Sequence, residues 1–176
     1  MRQYIILLLV LLCSVVFASG CISENKNNNT PKTYSQNNVS FNYLGSWEIA
    51  NTTSPNAVVA VADPNSVQNG TPTTFVLIQK PAVSKGTNIA TLYATNYASF
   101  FNNTYQLVSE GNVTINGVNA LENIYKTNTT GIQKDYQAEW LSENGTAYVI
   151  LCVANTNDFK NQQSNFNLIL NSFKAQ

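Results

Sequence analysis

The spacing of the hydrophobic positions changes several times along the chain, and each change predicts a different element. Residues 5–17 form an apolar run that only Ser14 interrupts, after which the chain is mostly polar as far as Tyr34. Val39–Tyr43 then alternates apolar and polar positions, which is the period of a strand with one buried face. Ala57–Ala62 is apolar throughout, and residues 74–78 are apolar after Thr74, as in central strands that are covered on both faces.

Two segments have apolar positions spaced by three and four residues, which predicts helices with one apolar face. The first covers residues 89–103, with Thr87 or Asn88 as its N-cap, and the second covers about residues 158–173. The apolar face of the first helix consists of Ile89, Leu92, Tyr93, Tyr97, Phe100 and Phe101. The apolar face of the second consists of Phe159, Phe166, Ile169, Leu170 and Phe173.

Two β-hairpins are predicted between these helices, each from an Asn-Gly pair that separates two strand-like runs. Asn116-Gly117 joins residues 107–115 to 118–126, and Asn144-Gly145 joins residues 132–143 to 146–154. A two-residue turn determines which residues face each other, so the second hairpin should place Trp140 opposite Val149. Tyr136 and Ala138 share the face of Trp140, and Gln137, Glu139 and Leu141 share the other. The Gln/Glu row, with Glu143, is expected on a solvated face.

The first apolar run predicts the location of the protein. It follows a single basic residue, Arg2, and ends in Ala18-Ser19-Gly20 before Cys21, which is the pattern of a secretory signal. As a helix it would span about 20 Å, less than the ~30 Å hydrocarbon core of a membrane. The small residues before Cys21 resemble the lipobox of prokaryotic lipoproteins, in which that cysteine is lipidated. Release by ordinary signal peptidase and an uncleaved N-terminal anchor remain the alternatives.

These patterns divide the chain into three parts. Residues 1–20 are predicted to be a signal peptide with a lipobox, and residues 21–33 a flexible polar linker. Residues 34–176 are predicted to be one globular domain. The lipidation site is Cys21, and the expected location is the extracytoplasmic face of the cell membrane, with the lipid as the membrane contact.

The composition excludes several classes of function. Only 10% of the residues are charged, nine acidic side chains balance nine basic ones, and histidine is absent. A basic patch for nucleic acid is therefore not expected, nor is catalysis by a Ser/His or Cys/His pair. Cys13 belongs to the leader and Cys21 to the lipid site, so Cys152 is left alone as a core residue without a disulfide partner.

Metal and cofactor sites are not predicted. Zinc has neither imidazole nor paired thiols to bind it, and no Gly-rich phosphate loop occurs. Asp63, Asn65 and Asn69 carry hard oxygens, but Gln68 stands where a calcium loop needs glycine. Turn formation explains the same residues.

Carboxylates are the remaining candidates for acid–base chemistry. Glu110 and Glu122 lie in neighbouring strands, but the first hairpin should place them on opposite faces of the sheet. We therefore expect no convergent pair and no catalytic residue. The aromatic residues of the first helix could line an apolar pocket for a lipid or cofactor, although packing against the sheet explains them equally.

Asparagine is abundant, and eight Asn-x-Ser/Thr sequons occur. The candidates for N-glycosylation are Asn28, Asn51, Asn69, Asn128 and Asn144, several of them at predicted turns outside the cytoplasm. The remaining sequons begin at Asn38, Asn102 and Asn112.

The order of these elements resembles the PsbP-like family, known from an extrinsic photosystem subunit and from small prokaryotic lipoproteins. The matching points are Tyr34, Val39–Tyr43 with Trp47 beyond it, the helix over residues 89–101, Asn116-Gly117-Val118, Tyr136 and Trp140 before Gly145, and Ser172-Phe173-Lys174. The resemblance implies an α+β fold in which an antiparallel sheet is flanked by two main helices.

The resemblance by itself does not assign a role. Because histidine is absent and no convergent acids are expected, we predict a binding or assembly module without catalysis, with an envelope or membrane protein as its partner. The photosystem role is not carried over, because the histidines that would support metal chemistry are absent. The Asn-rich, Arg-poor composition looks like that of cell-surface lipoproteins of methane-producing archaea. The alternatives are a receptor for a small apolar ligand held between helix and sheet, and a hydrolase that uses carboxylates.

Overall fold

The computed structural model describes residues 15–16, 29–100, 105–127, 131 and 133–176, and for residues 15–16 and 97–100 it describes the backbone alone. The strands are β1 (Val15–Val16), β2 (Lys32–Gln36), β3 (Val39–Tyr43), β4 (Glu48–Thr52), β5 (Ala57–Ala62), β6 (Val67–Gln68), β7 (Thr71–Pro72), β8 (Phe75–Gln79), β9 (Tyr105–Ile115), β10 (Val118–Thr127), β11 (Lys134–Glu143), β12 (Thr146–Asn155) and β13 (Lys174–Ala175). The helices are α1 (Ile89–Phe100) and α2 (Thr156–Leu170). Cys21, Asn28 and Asn128 lie outside the described residues.

The predicted fold class is confirmed. Eight strands form an antiparallel sheet in the order β1-β4-β5-β8-β12-β11-β10-β9, referred to below as the main sheet. A smaller antiparallel sheet has the order β13-β3-β2, and β6 pairs with β7 in a short hairpin. The main sheet with two helices against it makes an α+β architecture.

Both predicted hairpins are present. The second keeps the predicted register throughout, and the first keeps it from the turn to Ile124, beyond which a bulge shifts the pairing by one residue. Trp140 lies opposite Val149 across β11 and β12, and Val118 lies opposite Ile115 across β10 and β9. Asn116 and Asn144 have φ of 46° and 53°, the left-handed backbone that an Asn-Gly hairpin turn requires.

The main sheet has two buried faces. The α2 face carries α2 and the smaller sheet, and its core includes Trp47, Ile150 and Phe166. The α1 face carries α1, and its core includes Leu77 and Trp140. The strands β5 and β8 contribute apolar side chains to both faces, as their uninterrupted apolar runs predict.

The bounds of the two helices are close to the predicted ones. Asn88 caps α1, because its Oδ1 accepts a hydrogen bond from the backbone N–H of Thr91 at 3.1 Å. The second helix begins at Thr156, two residues before its predicted start, and it ends at Leu170. Among the described residues, no helix combines the length and the apolarity that crossing a membrane requires.

The N-terminal boundaries differ slightly from the prediction. The strand β2 begins at Lys32, so the folded part starts two residues before Tyr34 and includes the end of the predicted linker. Two residues of the predicted signal segment, Val15 and Val16, pair with the outer side of β4.

Candidate functional site

Glu139 lies in the interior, and its expected place on a solvated face is wrong. It is 1% exposed, and Gln137 on the same face is 4% exposed. Their face of β11 is the α2 face, which α2 and the smaller sheet cover. An alternating strand pattern shows that two faces differ in polarity, but it does not show that the more polar face is open to solvent.

Glu139 and Glu122 meet through one amide. Nε2 of Gln137 donates to Oε1 of Glu139 at 2.8 Å and to Oε2 of Glu122 at 3.0 Å. The two glutamates are direct neighbours in the register of β10 with β11. Glu122 is half-buried, so the carboxylate cluster of Glu122, Gln137 and Glu139 extends from the interior toward the surface.

The cluster changes the acidity of Glu139. Burial raises the pKa of Glu139 to about 8; the hydrogen bond from Gln137 opposes this shift, and the charge and hydrogen bond of Glu122 add to it. Glu139 is therefore mostly protonated at neutral pH.

Two oxygens of the cluster have no donor within the described residues: Oε1 of Gln137 and Oε2 of Glu139. A buried acceptor without a donor is costly. A proton on Glu139 lowers the cost of burying this group, because the protonated carboxyl adds no negative charge to the cluster. Cys152 lies opposite Gln137 and is fully buried and free, which confirms its prediction as a core residue. Burial raises the pKa of its thiol well above the usual range, and the nearby Glu139 and Glu122 add to this effect.

The expected divergence of Glu110 and Glu122 is confirmed. Glu110 lies on the α1 face, where its Oε2 accepts a hydrogen bond from the hydroxyl of Tyr93 at 2.7 Å. The broader expectation that no two carboxylates converge is wrong, because Glu122 meets Glu139 on the other neighbouring strand. The hairpin turns predict the pairing of β9 with β10 and of β11 with β12, but they carry no information on the pairing of β10 with β11.

The carboxylate cluster can hold a proton on Glu139. A general acid must also reach the atom that it protonates, and Glu139 is closed off from solvent. Only the half-buried Glu122 offers access to the cluster. In the part of the chain that the structure describes, no group of three His, Cys, Asp or Glu side chains could hold a metal ion. Asp63 caps a 3-10 turn, accepting from the N–H of Asn65 at 2.9 Å.

The family described as "PsbP-like protein" matches residues 18–175. The chain belongs to the PsbP-like family. No curated protein matches it.

Solved structures share the fold at low sequence identity. Cyanobacterial PsbP (CyanoP) from Synechocystis sp. PCC 6803 is 13% identical, with a TM-score of 0.63 over 89% of this chain and 98% of its own. LpqN of Mycobacterium tuberculosis is 11% identical, with a TM-score of 0.59 over 82% of this chain and 88% of its own. A mutant form of the protein Mog1 is 8% identical, with a TM-score of 0.53 over 83% of this chain and 96% of its own. At these identities the likeness establishes the fold alone.

The residues that carry the PsbP-like resemblance serve the core. Trp47 is 1% exposed, and its ring packs edge-on against the ring of Phe166 with 6.2 Å between the ring centroids. Phe173 is equally buried. The ring of Tyr34 stacks on that of Phe41 with 5.1 Å between the ring centroids. The motifs of this PsbP-like chain therefore mark the packing of its fold, and they do not converge on a surface site.

Described residues of the PsbP-like chain form two open clefts, each with a volume of about 410 Å³. The first, here called the β4 cleft, is lined by β2, β4, β5 and the adjoining turns. The second lies at the start of α2 beside Gln133. Neither lies between a helix and the main sheet, where an apolar ligand was considered. The sequons Asn51, Asn69 and Asn144 are exposed, and Asn51 lies on the β4 edge.

Proposed function

We propose that this protein is an extracytoplasmic lipoprotein, held to the membrane by a lipid on Cys21, whose PsbP-like domain binds or assembles another envelope component without catalysis. The leader supports the anchor: it joins a basic residue, a short apolar run and small residues before Cys21. LpqN, which shares the fold, is described as involved in cell envelope biogenesis, and this is compatible with an envelope role here.

The burial of Glu139 carries the non-catalytic part of the proposal. The carboxylates that converge within the described residues do so inside the interface between the main sheet and α2. A hydrolase based on them would need a cleft that admits its substrate to both acids. Without such access, the cluster acts on the stability of the domain.

The composition supports an archaeal envelope as the setting. Asparagine, serine, threonine and glutamine provide the polar surface, and Arg2 in the leader is the sole arginine. A polar surface with few charges and no excess of basic residues suits contacts with an envelope protein or glycan better than contacts with nucleic acid.

The anchor is tested with Cys21→Ser, and Cys152→Ser serves as the matched control because it changes a buried thiol. Two acyl chains on Cys21 contribute about 0.8 kcal/mol per buried CH₂, enough for stable anchoring. We expect the first variant to leave the membrane fraction or to remain as an unprocessed precursor, and the control to stay anchored. An intact-mass spectrum of the membrane-bound wild-type protein that begins at Met1 would reject the lipid anchor.

Two variants test the absence of catalysis. Glu122→Gln and Glu139→Gln replace each acid with an amide of similar shape, so folding should be retained. Any hydrolytic turnover of envelope material by the wild-type protein should be equal in both variants. Turnover that is lost with either substitution, while circular dichroism shows a native fold, would favour the hydrolase alternative.

A further inference from the structure

The outer edge of β4 is occupied by two residues of the leader. Val15 pairs with Thr52 and Val16 with Asn51, in antiparallel register. The pairs of β4 with β5 involve the first three residues of β4, so the leader extends pairing at the other end of the strand. The backbone of an edge strand is a template for an added strand, and here the added strand is apolar and β-branched.

Exposed apolar side chains flank this edge. Ile49 on β4 is 47% exposed and Val67 is 40% exposed. Val67 lies opposite Pro72 in β7, the strand against which β1 also lies. The third large apolar side chain exposed within the described residues is Val108, which lies on β9 at the opposite edge of the main sheet.

The β4 cleft next to this edge is uncharged. Its volume is about 410 Å³, and its lining contains no Asp, Glu, Lys or Arg. Ile49 and Ala50 supply apolar surface, and Gln36, Asn37 and Asn51 supply neutral hydrogen-bonding groups. A charged segment would lose solvation here without gaining an opposite charge, whereas an uncharged extended segment would lose little.

We propose that the outer edge of β4 is a docking site for an extended, uncharged segment of a partner protein, rich in β-branched residues, which adds to the main sheet as an antiparallel strand. In the precursor, Val15 and Val16 fill this site. The inference rests on the proposed function in one respect, because processing before Cys21 removes these residues and frees the edge. Backbone hydrogen bonds then supply affinity, and Ile49 with the cleft selects apolar side chains.

A synthetic peptide of residues 14–19, labelled with a fluorophore, is the probe for this site. It is titrated into the processed protein and into the full chain carrying Val15→Asp and Val16→Pro, in which the site is vacated without processing. We expect saturable binding by fluorescence anisotropy and slower amide hydrogen exchange in β4 when the peptide is bound. A peptide with proline in place of Val16 lacks one backbone N–H and should bind about tenfold more weakly.

Ile49→Asp and Val108→Asp form a matched pair of protein variants, since both replace an exposed apolar side chain on an edge strand. Ile49→Asp should weaken peptide binding by about tenfold or more, and Val108→Asp should leave it unchanged. Circular dichroism and urea unfolding check that both variants fold. Equal effects of the two substitutions, or no saturable binding to either acceptor, would overturn the proposal.

A second copy of this chain is the competing occupant. If β4 is protected from hydrogen exchange in a concentration-dependent dimer and the peptide does not displace it, the edge is a self-association surface and the proposal is wrong. The lipid anchor is tested separately. If the peptide does not bind but Cys21→Ser still releases the protein from the membrane, the docking site alone is rejected. An uncleaved leader rejects the anchor, while the vacated full chain still tests the docking site.

Discussion

The two faces of the main sheet bury polar side chains in different ways. On the α1 face the buried groups are neutral amides, and Asn123 accepts a hydrogen bond at Oδ1 from Nε1 of Trp140 at 2.7 Å. On the α2 face an ionisable group is buried, Glu139, with a second acid and a single amide donor beside it. Within the described residues Glu139 is the sole carboxylate that is buried.

Because of this difference, the two faces should contribute to stability with a different dependence on pH. A neutral hydrogen-bonded pair has the same free energy at every ordinary pH, whereas a buried carboxyl stabilises or destabilises the fold according to its proton. The α1 face is therefore expected to contribute a constant stability, and the α2 face a stability that depends on pH. The following predictions test that contrast, beginning with the apolar packing that both faces share.

Truncation of a large core side chain should cost most, and the cost should be similar on both faces. Trp140→Ala on the α1 face and Phe166→Ala on the α2 face should each lower the free energy of unfolding by about 3–5 kcal/mol. The total free energy of unfolding of a native domain is only about 5–15 kcal/mol. Urea titration measures both, with Val108→Ala as an exposed control. A cost below about 1 kcal/mol for Trp140→Ala would mean that its burial is misassigned.

The pH dependence should come next. The pKa of Glu139 is about 8 in the folded state, above its ordinary value of 4.5, so the folded protein keeps a proton that the unfolded chain releases. Its stabilising contribution is therefore complete below pH 4.5 and is lost as the pH rises toward about 8. The free energy of unfolding should fall by an amount on the order of 4 kcal/mol over this window.

Glu139→Gln is the matched control for that measurement, because glutamine keeps the shape and cannot ionise. Urea titrations from about pH 4.5 to about pH 9 should show that the free energy of unfolding depends less on pH in the variant. The stability of the variant relative to the wild-type protein should therefore be greatest above about pH 8. Equal slopes for the two proteins would show that Glu139 does not carry the dependence. Asn123→Ala, on the α1 face, should lower stability without changing the slope.

The size of the Asn123→Ala effect is the third prediction. The substitution leaves Nε1 of the buried Trp140 without its acceptor, which should cost about 1–3 kcal/mol. Thermal unfolding at about pH 5 and about pH 8 would measure it. A loss that differs between the two conditions would contradict the assignment of a constant contribution to the α1 face.

Tyr93→Phe should have the smallest effect. The lost hydrogen bond joins the tyrosine hydroxyl to the exposed Glu110, where water can replace either partner. The expected change in the free energy of unfolding is about 0.5 kcal/mol. Glu110→Gln provides the control from the other side of the bond, and a loss well above about 1 kcal/mol in either variant would show that this contact is shielded from water.

Local chemistry made much of the fold predictable from the sequence. Asn144-Gly145 and Asn116-Gly117 accept the left-handed backbone of a tight hairpin, so they determined two strand pairings and the face on which Trp140 lies. The apolar runs of β5 and β8 marked them as central strands, and the spacing of Phe159, Phe166 and Ile169 gave α2 its buried face.

The pairing of β10 with β11 was not predictable in this way. No two-residue turn joins these strands, so nothing local sets which residue of one faces which residue of the other. The meeting of Glu122 with Glu139 depends on that pairing, and the seclusion of Glu139 depends on α2 returning over the same face.

The sequence by itself therefore determined the elements, both hairpin registers and the apolar sides of the helices, because each depends on residues that are close along the chain. Only the tertiary structure decided that the polar row of β11 is buried, that the pKa of Glu139 is raised, and that the outer edge of β4 takes a leader strand. Each of these features needs segments far apart in sequence to meet, and burial is a property of that meeting and not of the pattern on one strand.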